Sequence, residues 1–369
     1  MTAIEQPLRL LRLHPAPYNF FADLFENFMG GGTVIYTADE PDIIEVPILA
    51  FDNLLRVSLA DARREYGFKP LTVAVGNENV SLAAAGLDYA LSTFAPTAGA
   101  HLHYNWNLNQ GFGRALMEPD GADAEKLRAY RVKSKSKFCN YVFSNDGFPA
   151  TRVRREFCRL LSRYKRVDCA GKSLNNTDAL FKLDKRYGGG WTSKLEFSSD
   201  YKFTIAFENA AADGWLTEKP MIPLAVGSIP IYWGDPQIGQ CINPRSFINA
   251  ADYDSFDALV EHVKLVDNDP DLYAEYRNAP PLLPSSRFYD MRRDLPPFLE
   301  RIAAEALRRR ETDARDGFLN WRRYYQVGKM IYANRERDPG YKRRIATLAL
   351  SPGAKRLIKK AAPRRLRLK

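Results

Sequence analysis

Residues 201–236 read YKFTIAFENAAADGWLTEKPMIPLAVGSIPIYWGDP. The opening run is almost continuously apolar and ends in a carboxylate and an amide, Glu208-Asn209. A short apolar run without alternation predicts a strand buried on both faces, as in parallel sheets. After a loop comes Thr217, whose hydroxyl suits a helix cap, and Pro220, which suits a first turn. SIPIYWG (228–234) is the next strand. Strand, loop, helix and strand in close order make a βαβ unit, so the chain is α/β with helices on the faces of a parallel sheet. Pro223 falls within the helix, removes a donor and predicts a kinked or shortened element.

The same rhythm extends outward. KFCNYVFSN (137–145) is a strand ending in a polar turn, TRVRREFCRLLSRYK (151–165) a helix and VDCAG (167–171) a strand. Residues 174–193, with Gly188-Gly189-Gly190, read as a long loop. Nearer the N-terminus, TVIYT (33–37), EVPILAF (45–51), LTVAVG (71–76) and LDYALSTF (87–94) are strands, and LLRVSLADARREYG (54–67) is a helix. The polar helical stretch 113–135 predicts the connection between two domains. The expected organisation is an N-terminal domain over 1–130, a second over 131–300, a helical region over 301–341 and a tail over 342–369. Phe318, Trp321, Tyr324 and Tyr325 in the helical region read as a packed face rather than a base-stacking platform.

Composition narrows the function classes. The chain has 369 residues, 45% of them hydrophobic and 12% aromatic, enough for substantial cores. Its formal net charge is +10, which taken alone points to nucleic acid or an anionic surface. Yet residues 342–369 hold eleven basic residues and no acidic ones, so subtracting eleven leaves the other 341 residues near −1. A near-neutral body argues against nucleic acid as a partner. Cys139, Cys158, Cys169 and Cys241 are too few and scattered for a disulfide framework or a zinc site, and read as thiols in a reducing compartment. His101 and His103 share one side of a strand and read as packing or polar lining, with no further ligand nearby in sequence. The N-terminus lacks an uninterrupted apolar signal core, and no window is long and apolar enough to span a membrane.

In open parallel sheets ligands bind beyond the carboxyl ends of strands, near helix N-termini. Three polar clusters fall at such ends: Ser144-Asn145, Glu208-Asn209 and Thr217-Glu218-Lys219. Free N–H groups at a helix start, with Lys219 beside them, suit a nucleotide diphosphate; solvated first-turn charges are the plainer reading of Glu218 and Lys219. The Asp-x-Asp pair at 252–254, with Ser255 before an apolar helical pattern, reads as helix capping rather than a metal site, and the run at 267–271 lacks the Gly and distal Glu of a calcium loop.

The motifs FCNYVFSN, YKFTIAFEN, TEK (217–219), SIPIYWGDP and NPRSFIN (243–249), in this order and spacing over about 137–275, resemble glycosyltransferase family 10, the α-1,3/1,4-fucosyltransferases. The resemblance implies a GT-B architecture of two Rossmann-like domains facing a cleft. It implies an inverting transfer of L-fucose from GDP-β-L-fucose to a Gal/GlcNAc-type, N-acetyllactosamine-like glycan, without an essential metal or other cofactor. Carried over by motif, the donor-binding residues are Asn209, Trp215 (where the family more usually has Tyr), Glu218, Lys219 and a helix arginine, Arg154 with Arg152 as the alternative. The general base is Glu78 of Gly76-Asn77-Glu78-Asn79, where Asn77 is an insertion relative to the family's Gly-Glu-Asn. Another GT-B nucleotide-sugar transferase, or a non-catalytic membrane-associated glycan or nucleotide binder, remains the alternative.

In the tail, Leu348, Leu350, Leu357 and Ile358 interleave with cations, predicting an amphipathic helix on anionic lipid; a plain basic tail is the other reading. Together with the resemblance, this gives the expectation of a bacterial-type cytoplasmic enzyme, peripheral on the inner face of the membrane, acting on lipopolysaccharide or other surface glycans.

Overall fold

The structure, a computed structural model, describes residues 7–12, 20–29, 32–37, 41–47, 70–76, 87–93, 100–147, 151–185 and 190–310. Two parallel sheets organise them, as the α/β expectation requires.

The first sheet has six strands: β1 (Leu8–Arg12), β2 (Val34–Tyr36), β3 (Ile43–Pro47), β4 (Leu71–Gly76), β5 (Tyr89–Ser92) and β6 (His101–His103), in the order β2-β1-β3-β4-β5-β6. Leu10, Ile43, Val73 and Leu91 form its core with Leu24 and Phe25 of α1 (Phe20–Met29). The connection expected over 113–135 takes in most of one helix, α2 (Gly111–Met117), and all of another, α3 (Ala122–Val132). Its end is stitched to α3 and to later segments of the chain, because Lys135 Nζ donates to the carbonyls of Tyr130, Ser199 and Val226 at 2.7–2.8 Å.

The second sheet has five strands in the order β11-β10-β9-β7-β8: β7 (Lys137–Tyr141), β8 (Val167–Cys169), β9 (Tyr201–Phe207), β10 (Ile229–Trp233) and β11 (Ile248–Asn249). Six of the seven β9 residues are buried, which is why its sequence shows no alternation. The helices here are α4 (Thr151–Leu161), α5 (Ala179–Asp184), α6 (Trp191–Ser198), α7 (Glu218–Ala225), α8 (Phe256–Asn268) and α9 (Pro270–Asn278). Two of them correct the sequence reading. Residues 174–193 are not one long loop: α5 lies inside the segment and α6 begins at Trp191. Both are short, their caps lack side-chain hydrogen bonds, and glycines stand between them, so neither helical period nor capping announces them. The first Asp-x-Asp segment leads into a helix cap, as expected, and the second, for which no cap was expected, caps a helix and pairs with lysines. Ser255 Oγ accepts from Ala258 N at 3.1 Å, and Asp269 Oδ1 accepts from Asp271 N and Leu272 N at 3.0 Å. Asp267 is paired with Lys165 and Lys202.

A last helix, α10 (Arg287–Arg310), runs past residue 300 and returns to the first sheet, where Phe298, Leu299 and Ile302 join its core. It is fastened by charge. Asp42, 4% exposed, accepts from Arg9 N at 2.7 Å, from Arg9 Nη2 at 3.0 Å and from Arg310 Nε at 2.9 Å. No described helix is long and apolar enough to cross a membrane. The helix expected over 54–67, Glu78 and Asn79, the aromatics at 318–325 and the basic tail lie outside the described residues.

What positions a ligand site is the strand order. β7 pairs with β8 on one side and with β9 on the other, so the chain reverses direction across the sheet after β8. A crevice opens at such a reversal, beyond the carboxyl ends of β7 and β9.

Candidate functional site at the β7–β9 switch point

Three segments converge at this crevice: the turn after β7, the Glu208-Asn209 end of β9 and the start of α7. Thr217 caps α7, as its sequence position predicts. Its hydroxyl is shared, however, because Thr217 N and Oγ1 both donate to Glu208 Oε1 at 2.9 Å. Lys219 Nζ donates to Glu208 Oε2 at 2.8 Å. Glu208 is completely buried and the Lys219 side chain is 15% exposed. Glu208, the residue after β9, thus ties that strand to the N-terminus of α7 by three polar contacts. Space is made for it by Gly234, just after β10, where a Cβ would sit 2.5 Å from Glu208 Cγ.

The electrostatics follow from burial. Burial pushes the Glu208 carboxyl up from its ordinary value, and the Lys219 ammonium pulls it back. For Lys219 burial pushes downward, but the Glu208 and Glu218 carboxylates outweigh it and hold the ammonium above the usual lysine value. With two donors from Thr217 and one from Lys219 on one carboxylate, the geometry is that of an ion pair. Burial, the largest influence, raises the Glu218 carboxyl, but Lys219, Lys194 and hydrogen bonds from the backbone and Thr217 together outweigh it, so Glu218 ends below its ordinary value.

Arg154 lies on α4. With Phe157, Cys158 and Leu161 it occupies positions i, i+3, i+4 and i+7 of the buried face, whereas Arg152 points to solvent. Its guanidinium stacks 4.2 Å above the Phe143 ring. Nη1 donates to Asn209 Oδ1 at 2.7 Å, and Nη2 donates to the Asn145 carbonyl. Arg154 therefore joins the turn after β7 to the end of β9. At 1% exposure it is committed to these partners, so contact with a ligand oxygen requires one of them to be exchanged.

The structure thus brings together Arg154, Asn209, Glu218 and Lys219. Trp215 lies on the loop just before them, 2% exposed. Glu78 is outside the described residues. Gly76, two positions before it, ends β4 in the other sheet.

Two residues went unremarked in the sequence. A cavity of about 50 Å³ runs in behind the start of α7, lined by Asn140, Phe143, Lys194, Glu218, Lys219 and Ile222 among others. Lys194 reaches it from α6, its ammonium 5.4 Å from the Trp191 ring centroid, and burial lowers its pKa. Asn140 Oδ1 is buried with no hydrogen-bond partner among the described residues. Neither carries a local signal, since Lys194 follows a segment read as loop and Asn140 lies within a strand. Chemically the site offers two buried cations and a helix N-terminus around a polar crevice, an arrangement suited to a diphosphate and to charge developing on it.

Comparison with known proteins agrees with this geometry. Residues 132–279 match the family described as glycosyltransferase family 10 (fucosyltransferase), C-terminal part. An α-(1,3)-fucosyltransferase of Helicobacter pylori is 32% identical over 148 residues, 40% of this chain and 28% of that protein. Alpha-(1,3)-fucosyltransferase B of Drosophila melanogaster is 38% identical over 171 residues, 45% of this chain and 37% of that protein. The aligned part thus spans well under half the length of either relative. A crystal structure of an α1,3-fucosyltransferase with GDP-fucose superimposes with a TM-score of 0.59 at 20% identity, covering 82% of this chain and 92% of that one. That likeness extends the shared fold over both sheets, the two-domain GT-B arrangement.

Proposed function

We propose that this chain, whose residues 132–279 are a glycosyltransferase family 10 domain, is an inverting α-1,3-fucosyltransferase that moves L-fucose from GDP-β-L-fucose to a hydroxyl of an N-acetyllactosamine-like glycan. The observation that carries the reading is the switch-point crevice, where Arg154–Asn209 and Glu208–Lys219–Thr217 meet at the N-terminus of α7. Breaking the sugar–phosphate bond leaves negative charge on GDP. In this reading Lys219, the α7 N–H groups and Arg154, once it exchanges one of its present partners, stabilise that charge, and each such donor is typically worth ~3–4 kcal/mol in the transition state. In this reading they do the electrostatic work that a divalent ion does elsewhere, so activity should survive chelation. Glu218 and Asn209 bind the donor, Trp215 walls it, and Glu78, following β4 of the other sheet, takes the proton from the acceptor hydroxyl. The basic segment 342–369 holds the enzyme to an anionic membrane on its cytoplasmic side, where lipopolysaccharide-type glycans are built.

The deciding experiment incubates the full chain with GDP-fucose and N-acetyllactosamine and follows GDP release and fucosylated product with and without EDTA. Absence of both on any β-galactoside acceptor refutes the reading. Glu78→Gln should abolish transfer, and full turnover would remove Glu78 as the base. Truncation after Gly340 should abolish binding to anionic vesicles and spare soluble activity; binding that persists refutes the membrane role of the tail.

A further inference from the structure

The loop between β9 and α7 is held from the other domain. His103, the last residue of β6, and Asn105, two residues on, both point at this loop. His103 Nε2 lies 2.9 Å from the Gly214 carbonyl and 3.0 Å from the Thr93 carbonyl. Asn105 Nδ2 donates to the Leu216 carbonyl at 2.9 Å. The two carbonyls flanking Trp215 are thus both gripped by side chains that leave one strand end of the first sheet.

Two further observations show that the grip is built rather than incidental. Gly214 has φ of +72°, which favours glycine, and Asp235 Oδ1 accepts from its N–H at 3.0 Å; the Trp215 N–H, in the same peptide unit as the Gly214 carbonyl, donates to the Ala212 carbonyl at 3.1 Å, so the direction of the Gly214 carbonyl is set. Because both neighbours of His103 Nε2 are acceptors, that nitrogen carries the ring proton, leaving Nδ1 as an acceptor. Nδ1 is buried without a hydrogen-bond partner among the described residues. A residue serving only to pack would be better apolar here. What the histidine contributes is its Nε2–H. On the far side, Thr93 N donates to the Gly76 carbonyl at 3.3 Å, and Gly76 stands two positions before Glu78. Contacts therefore run from the end of β4 through Thr93 and His103 to the loop carrying Trp215.

We propose that His103 is a positioning residue, supported by Asn105, which sets the Trp215 loop against the strand ends of the first sheet and so fixes the donor relative to the acceptor side. The inference rests on the fucosyltransferase reading for its consequence, though not for its geometry. If correct, breaking the grip should misplace the sugar hydroxyl more than it harms donor cleavage by water, which needs no such alignment. Misplacement of about 1 Å can cost ~10²-fold in rate.

The test compares the full chain with His103→Leu, His103→Asn and His103→Gln. Gln can extend its amide to the position of Nε2; Asn is polar but too short to reach Gly214. Expected for Leu and Asn is a loss of transfer kcat on the order of tenfold or more, with GDP affinity held within about twofold and a several-fold higher ratio of GDP-fucose hydrolysis to transfer. Gln should restore most of the transfer. Should Leu fail to fold, Asn carries the same expectation. An unchanged ratio in both, or Gln no better than Asn, overturns the proposal. Amide exchange over residues 208–217 gives a readout independent of substrate: faster exchange in His103→Asn supports the grip, and unchanged exchange overturns it. A wild-type chain inactive with GDP-fucose, but whose variant shows faster exchange, would leave the grip standing and remove the fucosyltransferase reading.

Discussion

Glu208 and Asp42 are both buried carboxylates that accept from a backbone N–H and pair with cations, yet the two sheets use them differently. Around Asp42, Arg9 and Arg310 close a strap that ties the end of α10 to β1 and the turn before β3. Around Glu208 the cation is Lys219, which lines the cavity behind α7. One arrangement spends its charge on holding two segments together. The other holds β9 to α7 and keeps a cation facing the crevice. The lesson is that a buried ion pair identifies a site by where its cation faces, not by its being buried.

The largest effect should come from breaking the crevice pair. Lys219→Met removes a cation from the site and leaves Glu208 buried without its partner. Removing one member of a buried pair costs about 3–5 kcal/mol of stability. Chemical denaturation should show that loss, and kinetics should show a fall in transfer. Adding Glu208→Gln in the same chain should restore much of the stability while activity stays low. Restoration of both would mean that Lys219 acts only on the fold.

Arg154→Ala comes next. It breaks the bonds to Asn209 and Asn145 and removes a guanidinium from the leaving-group side, for an expected ~10²–10³-fold loss in kcat. Arg154→Lys cannot span both partners and should recover little. Arg152→Ala, on the exposed side of the same helix, should leave kcat alone. If Arg152→Ala were the damaging change, the choice between the two arginines would reverse. Asp42→Ala is the counterpart in the strap. Its cations reach water, so the loss should be about 1–3 kcal/mol, with kcat/KM unchanged in the folded fraction.

This contrast also shows what the sequence could reveal. Four strands of the second sheet, β7 to β10, were legible as short apolar runs, whereas β11, two residues long, carried no such run. Thr217, Glu218 and Lys219 were legible because a helix start is a local pattern. The choice of Arg154 was available in the spacing 154, 157, 158, 161, which puts that arginine on an apolar stripe. Glu208–Lys219 was not, since nothing local says that the residue following a strand pairs eleven positions on. The strap was equally hidden: β1, LRLLR, is a short strand with charged ends, α10 carries Pro296 and Pro297, and their meeting depends on residues 268 positions apart. The α5 and α6 helices were masked by glycines, and with them Lys194. Local patterns gave the elements; pairings between distant segments came only from the fold.

The smallest effects, and the finest separation of the two regions, lie in pH. For Asp42 burial raises the carboxyl, but the bonds from Arg310 and Arg9 outweigh it and the net value falls below the ordinary 3.8. A depressed carboxylate contributes stability that is present above its unfolded value and lost as pH falls through the folded one. The strap should therefore weaken below about pH 4. Asp267, lowered by Lys165 and Lys202 against the pull of burial, adds to the same acid limb. Glu208 does not, because its value is raised and acid protonates it at no loss of fold. Lys219 is raised above 10.5, so its contribution is complete below that value and lost as pH climbs through the folded one. Unfolding free energies measured against pH should then separate the variants: Asp42→Ala flattens part of the acid limb and leaves the alkaline limb, whereas Lys219→Met flattens the alkaline limb and, with Glu208 freed of its cation and raised further, regains stability as pH falls. If both variants flattened the same limb, the two carboxylates would not be the separate devices that their partners indicate.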